Sequence, residues 1–181
     1  MQKLKLYQAL AEAFVAEGVD TQFILMGDGN MHWTSALQKL PGIKTVHHRH
    51  EHCAVAAAMG YHVATGKIAA ASVTCGPGLT QLTTALPAAV RARIPLVVFA
   101  GESPINAKFY NQEIAQLPLV TATGAHYIQA HSLPRMHEYV REAFHVARLE
   151  RRPVVLGVPY DLQTLAPATT SPYVPSTRYI P

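Results

Sequence analysis

The feature that most restricts the fold of this chain is a repeated alternation of short apolar runs with helix-forming segments. The runs that resemble strands are 23–26, 43–46, 68–74, 96–100, 125–130 and 153–158. They are continuously apolar rather than alternating, which is typical of parallel strands buried on both faces. We therefore predict an α/β fold, a three-layer α/β/α domain with a parallel sheet of roughly six strands.

Helical periodicity or alanine-rich composition fills the intervals between these runs except 101–124, which we expect to be rich in loop. The predicted helices cover 7–15, 33–40, 51–65, 79–90 and 133–147. The segment 51–65 is apolar nearly all round, which predicts a buried helix. Pro87 falls inside the fourth helix, where a proline is expected to cost ~3 kcal/mol or to force a kink. Ser132 is a plausible N-cap for the last helix.

The composition is that of a globular protein, with 49% hydrophobic and 14% charged residues. We predict one domain over residues 1–162, and a linker over 163–181 because periodicity stops there. The net charge of +4 is scattered, so we expect no nucleic-acid partner. No apolar run approaches the ~20 residues that span a bilayer, and no signal peptide is evident, so we expect no membrane association and a cytoplasmic location.

Three unusual segments follow predicted strands, where parallel sheets bind ligands. They are Gly27–Asn30, Arg49–His52 and Cys75–Gly78. In the second segment, Glu51 begins a helix of small residues. Taken alone, an acid in the first turn is explained by the helix dipole, worth about 0.3–1 kcal/mol. In the third, a glycine–proline turn lets the backbone approach a ligand closely.

Taken together, the motifs resemble the pyrimidine-binding domain of thiamine-diphosphate enzymes of the acetolactate synthase and benzoylformate decarboxylase superfamily. The resemblance lies in Arg-His-Glu…Gly-Tyr-x-x-Ala-Thr-Gly-Lys over 49–67, Val-Thr-x-Gly-Pro-Gly over 73–78 and Ile-Pro-Leu-Val-Val over 94–98. It extends over roughly residues 3–165. The order and spacing of the motifs carry the assignment, since each motif alone is common.

The resemblance implies that Glu51 is the catalytic residue, binding ring nitrogen N1′ of thiamine diphosphate and promoting its activation. That role needs a carboxyl group able to hold a proton near neutral pH, which apolar surroundings favour. It also implies that Gly27, Thr74, Pro77 and Gln81 bind the cofactor. Gln112 and His32 are expected near the substrate, a 2-oxo acid, and one of the histidines at 32, 47, 48, 50 and 52 could act as a proton shuttle.

The chain departs from relatives at two of these places. After the first strand it has Met26-Gly27-Asp28 where many relatives have Pro-Gly-Gly. At 111–113 it has Asn-Gln-Glu where acetolactate synthases have Phe-Gln-Glu. Gln81 stands where many relatives have Asn.

Two features could be mistaken for other sites. Gly27–Asn30 resembles the opening of a magnesium–diphosphate motif, but no asparagine follows at the required distance, and we interpret it as a turn. It is not a Rossmann fingerprint either, because a third glycine is lacking. The histidines at 47, 48, 50 and 52 could suggest zinc, but a zinc site needs three or four converging ligands. We predict no metal site on this chain.

We therefore expect a cofactor-binding domain of a larger enzyme, inactive alone, whose Mg²⁺ is bound by a missing diphosphate-binding domain. A homodimer or higher oligomer with the site at the subunit interface is implied by the resemblance. FAD is a possible cofactor that nothing in the sequence supports. Two alternatives stay open: a separate small subunit of a two-chain 2-oxo acid decarboxylase, and a non-catalytic nucleotide-binding regulatory module.

Overall fold

A computed structural model describes residues 4–168 and 171–180 of the chain. Six parallel strands form one sheet in the order β2-β1-β3-β4-β6-β5. The strands are β1 (Thr21–Ile24), β2 (Lys44–His47), β3 (Ala69–Val73), β4 (Leu96–Glu102), β5 (His126–Gln129) and β6 (Pro153–Pro159). The predicted α/β class, parallel pairing and strand number are confirmed.

Helices cover both faces of the sheet. They are α1 (Leu6–Ala16), α2 (Met31–Gln38), α3 (Glu51–Thr65), α4 (Pro77–Thr80), α5 (Ala85–Arg91), α6 (Gln116–Ala122), α7 (Met136–Glu150) and α8 (Tyr160–Gln163). One apolar core joins α1, α2 and α7 to the sheet, and a second core joins α3, α5 and α6 to the opposite face. The three central strands β3, β4 and β6 are buried along their whole length, as their continuous apolar sequences require.

The helix predicted over 79–90 is wrong as a single element, because α4 and α5 are separated by turns at 81–84. Pro87 is the third residue of α5. The first turn of a helix has N–H groups without intrahelical partners, so a proline there removes no helical hydrogen bond. Because the helix is interrupted by turns at 81–84 and starts again at Ala85, Pro87 lies in a first turn and the expected kink is not needed.

Three further expectations need correction. The helix α3 has the predicted bounds, but its buried residues are only Ala54, Val55 and Ala58. It is therefore not a buried helix in the single chain, and its outer face is open. Ser132 precedes a short 3-10 helix, Leu133–Arg135, and makes no side-chain cap bond; α7 begins after it, at Met136. Helix α6 lies in a stretch that was expected to be loop.

The segment expected to be a linker is attached to the domain where the structure describes it. Gln163 is fully buried, and its Nε2 donates to the backbone oxygens of Gly29 and Val158 at 2.8 and 3.1 Å. Tyr173 and Ser176 both bond to the buried carboxylate of Glu17. Residues 169, 170 and 181 lie outside the described part. Where the domain ends, and whether a linker to another domain follows, stays a prediction.

Candidate functional site

The carboxyl edge of the sheet places Glu51 at the first residue of α3. His50 is the N-cap residue, with φ −153°, and its Nδ1 accepts a hydrogen bond from the backbone N–H of His52 at 3.2 Å. The helix start is therefore capped by His50 and does not use the Glu51 side chain. Glu51 is half-buried, and no donor within residues 4–168 or 171–180 bonds to its carboxylate.

The turn after β3 lies directly against Glu51. A Cβ atom placed on Gly78 would lie 3.4 Å from Glu51 Oε1 and 2.7 Å from Thr74 Cγ2. The second distance is shorter than real Cβ contacts, so only glycine fits between the two side chains. The structure thus brings Glu51, Thr74 and Gly78 together, and the cofactor-binding role of the first two stays a prediction.

Thr74 is the residue on which the site is assembled. Its Oγ1 accepts a hydrogen bond from the buried backbone N–H of Gly29 at 3.0 Å. A Cβ atom on Gly27 would lie 2.7 Å from Thr74 Cβ, so the loop after β1 packs against the same side chain. Gly27 and Thr74 therefore meet, although they are separated by forty-seven positions in the chain. Pro77 opens α4 beside them and is exposed.

The loop after β4 covers the turn from the other side. Gly76 has φ +54°, and a Cβ atom there would lie 1.9 Å from the backbone oxygen of Gln112. The Gly76 N–H donates to Gln116 Oε1 at 2.9 Å. Gln112 Oε1 lies 3.5 Å from Thr74 Oγ1 and 3.2 Å from Cys75 Sγ. Gln112 is therefore joined to Thr74 and Cys75, and its place near the substrate stays a prediction.

Two residues of the site were missed by the sequence reasoning. Gln116 is buried and, besides holding Gly76, donates to Gly101 O at 3.2 Å and Tyr127 Oη at 2.9 Å. Tyr110 is half-buried with its hydroxyl 3.7 Å from Cys75 Sγ, and burial, followed by the contact with Cys75, raises the pKa of its phenol. Gln116 could have been found as a polar side chain opening an otherwise apolar helix; nothing in the sequence marked Tyr110.

Asn30 gives the segment Gly27–Asn30 its conformation. It is fully buried, its Oδ1 accepts from the Gly27 N–H at 2.8 Å, and its Nδ2 donates to Ser72 Oγ at 2.8 Å. These groups bond to one another within the protein. The structure thus has a turn closed by Asn30, in line with our interpretation of this segment.

His32 and Gln81 are not joined to Glu51 by any contact in the described part of the chain. His32 stacks between Tyr7 and Tyr160, with ring centroids 5.4 and 5.7 Å away, on the face of the sheet that carries α1. Glu51 begins a helix on the opposite face. Gln81 is the exposed C-cap residue that follows α4.

The histidines around β2 do not converge. His47 is exposed at the end of the strand, and burial, followed by the nearby His47, lowers the pKa of His48. Within the described residues, no group of three His, Cys, Asp or Glu side chains is placed to hold a metal ion.

Comparison with known protein families identifies the family of this chain. Residues 4–119, more than half of the chain, match the family described as thiamine pyrophosphate enzyme, N-terminal TPP binding domain. The chain belongs to this family. The matched range includes Glu51, the Gly76–Gly78 turn and Gln112, so the cluster described above lies wholly inside the thiamine pyrophosphate-binding domain.

Individual relatives of this TPP-binding domain agree. The chain is 36% identical over 161 residues to the acetolactate synthase isozyme 2 large subunit of Escherichia coli (strain K12), covering 86% of this chain and 29% of that protein. It is 35% identical over 161 residues to the chloroplastic acetolactate synthase 2 of Nicotiana tabacum, covering 85% and 24%. The chain therefore spans less than a third of the length of these relatives.

A solved structure shows the same fold. The thiamine diphosphate-dependent 4-hydroxybenzoylformate decarboxylase of Rhodococcus jostii RHA1 superposes with a TM-score of 0.81 at 22% identity, over 90% of this chain and 31% of that one.

No helix in the described part of the chain has the length and apolar character needed to cross a bilayer.

Proposed function

We propose that this domain supplies the aminopyrimidine-binding half of the active site in a thiamine-diphosphate enzyme that acts on 2-oxo acids, by carboligation or decarboxylation. The observation that carries the proposal is the free, half-buried carboxylate of Glu51 beside a turn that only glycine can form. Acetolactate synthases and a decarboxylase are among the relatives. Their chemistry sets the substrate class.

The residues present fit an aminopyrimidine through a free carboxylate held on a closely packed turn. A Cβ atom on Gly27 or Gly78 would clash with Thr74, so both turns pack tightly on that side chain, and Gly78 is thereby held beside Glu51. The Glu51 carboxylate is unpaired within the described residues, so it can bond to a ring nitrogen without breaking an internal contact.

Each residue then has a stated task. Thiamine diphosphate, when bound, supplies the carbon nucleophile and the electron sink for the reaction of the 2-oxo acid. Glu51 holds a proton against N1′ of the aminopyrimidine, which is general acid–base work by a positioned carboxyl group. Gly27, Thr74 and Pro77 form the wall of the pyrimidine pocket, with Gln81 at its outer rim.

Closure of the site by a second copy of the chain is part of this proposal. The outer face of α3 exposes Cys53, Ala56, Gly60 and Val63, and Val63 is 74% exposed. Small residues on a helix allow a second helix to approach closely, and covering them would dry the environment of Glu51. We propose a homodimer, or higher oligomer, that buries this face.

The oligomer is tested by adding one charge to that face. Ala56→Arg should convert a dimer into a monomer at micromolar concentration, as measured by sedimentation equilibrium. Ala88→Arg, at an exposed alanine on α5, is the matched control and should leave the dimer intact. A monomeric wild-type protein, or a dimer unaffected by Ala56→Arg, would refute the proposed interface.

The remaining half of the site is proposed to come from a diphosphate-binding domain that also holds Mg²⁺. On that basis, the 181-residue chain alone should be inactive. We also propose that the enzyme acts in the cytoplasm. We propose no role for FAD. A separate small subunit would use the same residues, so the complete gene product and any chain that copurifies with it are the material for the test.

The experiment is calorimetry followed by turnover. The complete gene product with Mg²⁺ should bind thiamine diphosphate and should bind NAD and FAD at least tenfold more weakly. It should then consume one or more of a panel of 2-oxo acids. Binding of NAD in preference to thiamine diphosphate would favour the regulatory-module alternative, and robust turnover by the isolated 181-residue chain would show that no second half-site is needed.

A further inference from the structure

Two neighbouring donors at the end of β3 converge on one amide oxygen. Thr74 Oγ1 lies 3.5 Å and Cys75 Sγ lies 3.2 Å from Oε1 of Gln112. A hydroxyl and a thiol each carry a hydrogen, and the carbonyl oxygen of an amide can accept two hydrogen bonds. The pair therefore turns the oxygen of Gln112 toward β3 and its Nε2 away from it.

The Nε2 group is left available for a ligand. Gln112 is half-buried, and no acceptor in the described part of the chain takes its Nε2 hydrogens. Its backbone is fixed as well, because its carbonyl oxygen packs on Gly76, where a Cβ atom would lie 1.9 Å away. Gly76 and Gly78 belong to the same turn, and Gly78 touches Glu51. A fixed N–H donor thus stands across the turn from the carboxylate.

Cys75 is the stronger of the two contacts that set this orientation. Its distance to Gln112 is the shorter one, and the hydroxyl of Tyr110 is farther from the sulfur, at 3.7 Å. The thiol has one hydrogen, so it donates to Gln112 in preference to Tyr110. The side chain is buried, and burial raises the pKa of the thiol, which keeps it protonated and able to donate at neutral pH.

We propose that Cys75 is a positioning residue that orients the Gln112 amide, so that Nε2 donates a hydrogen bond to an oxygen of the 2-oxo acid. Cys75 itself touches no substrate in this arrangement. The inference rests on the proposed function, because it assumes that the substrate binds beside Glu51. It deepens that function by assigning a donor for the carboxylate or carbonyl oxygen of the substrate.

The kinetic test uses three variants of the complete gene product with saturating thiamine diphosphate and Mg²⁺. Cys75→Ala removes the donor, and one net hydrogen bond corresponds to about a 3- to 10-fold rise in KM for the 2-oxo acid. Cys75→Ser keeps a donor and should restore the KM. Gln112→Glu keeps the acceptor but removes Nε2, and should raise KM at least as much as Cys75→Ala.

The concentration of thiamine diphosphate that gives half-maximal activity should be unchanged in both Cys75 variants, because cofactor binding depends on Glu51 and Thr74. A KM unaffected by Cys75→Ala, or Ala and Ser variants that are equally impaired, would overturn the assignment. A purely structural effect of Cys75 would lower kcat and cofactor affinity together, and would overturn it too.

A second measurement separates this inference from the proposed function. The side-chain amide of Gln112, assigned by its loss in Gln112→Glu, should give one ordered pair of ¹⁵N-correlated signals in the wild type and in Cys75→Ser. Cys75→Ala should average that pair toward the free-glutamine shift. Identical signals in all three proteins would overturn the positioning role, whether or not thiamine diphosphate binds. Failure of thiamine diphosphate to bind, with the expected difference in signals, would refute only the proposed function.

Discussion

Two glutamates at opposite edges of the sheet differ in burial and in hydrogen bonding. Glu17 follows α1 and is 2% exposed. Its carboxylate accepts from Tyr173 Oη at 2.5 Å, Ser176 N at 2.7 Å and Ser176 Oγ at 2.8 Å, and it pairs with Arg148 at 2.5 Å. Glu51 is more exposed and has none of these partners in the described residues.

The difference teaches which carboxylate serves the fold and which is left for a ligand. Glu17 accepts hydrogen bonds from donors that the chain itself supplies, so a ligand could bind it only by displacing those donors. Glu51 is held by its backbone at the start of α3, while its side chain is left unsatisfied. An acid of this kind, at the carboxyl edge of a parallel sheet, is the kind of group that a cofactor completes.

The largest expected effect is on turnover at Glu51. Glu51→Gln keeps the shape of the side chain and removes its proton-holding carboxyl group, so kcat of the complete gene product should fall by about 10²–10⁴-fold. The free energy of unfolding should change by less than about 0.5 kcal/mol, because no internal partner is lost.

Both quantities are measured side by side, by steady-state turnover and by urea unfolding. Glu142→Gln, at an exposed glutamate on α7, is the matched control and should alter neither. A fully active Glu51→Gln enzyme would remove Glu51 from the catalytic assignment.

The reverse pattern is expected at Glu17. Glu17→Ala removes the carboxylate to which Arg148 and two hydroxyl groups bond, and breaking a buried ion pair from one side costs about 3–5 kcal/mol. The midpoint of urea unfolding should fall accordingly, while activity per folded molecule should stay at the wild-type level. Glu12→Ala, at an exposed position of α1, should change stability by about 0.5 kcal/mol or less. Equal stability of the Glu17 and Glu12 variants would contradict the contrast.

The sequence was informative about Glu51 and uninformative about Glu17. The bounds of α3 and the Gly-Pro-Gly turn are written in local patterns, and family motifs place the acid at the helix start. The partners of Glu17 come from segments more than 130 positions away. Arg148 lies in α7, while Tyr173 and Ser176 lie in a region that looked like a linker because it has no periodicity. Long-range polar contacts of single side chains leave no periodic signal, so they were not predictable.

The same reason explains the other misses. Helix α6 was overlooked because its seven residues are too short to show amphipathic periodicity and contain a proline. The meeting of Gly27 with Thr74 was predicted only as far as both follow parallel strands. Which atoms touch depends on the backbone path of two turns, and this path is set by tertiary packing.

Thr74 tests whether the framework of the site is as tightly built as the Glu17 cluster. Thr74→Val keeps the volume and removes Oγ1, which leaves the buried N–H of Gly29 without an acceptor. An unsatisfied buried donor costs about 1–3 kcal/mol, so the loss should lie between those at Glu17 and Glu51. Thr83→Val, whose hydroxyl bonds only to Thr80 O at the surface, is the control for the loss of a threonine hydroxyl. Equal unfolding midpoints for the two variants would show that Gly29 N–H does not need Thr74.

Substitution of Asp20 should give the smallest change in stability. Asp20 has hydrogen-bond partners but is only half-buried, so it tests what the partners contribute without deep burial. Desolvation opposes ionisation of this half-buried carboxyl group, but hydrogen bonds from Lys67, Tyr61 and Thr21 outweigh it and lower its pKa to about 2. A depressed pKa means that Asp20 contributes stability above the pKa of the unfolded chain, near 3.8, and loses it as pH falls toward 2. Lys67 and Asp20 are 57% and 38% exposed, so solvent screening limits the contribution to ~1 kcal/mol or less.

The measurement for Asp20 is a series of urea midpoints from about pH 5 down to about pH 2.5, the window in which the unfolded chain takes up the proton first. The midpoints should fall less steeply in Asp20→Asn than in the wild type, and added salt at about 1 M should narrow the gap. If the two curves ran parallel, the hydrogen bonds to Asp20 would contribute nothing to stability. In that case the presence of partners would not by itself distinguish a carboxylate that stabilises the fold, such as Glu17, from one that is free to bind a ligand, such as Glu51.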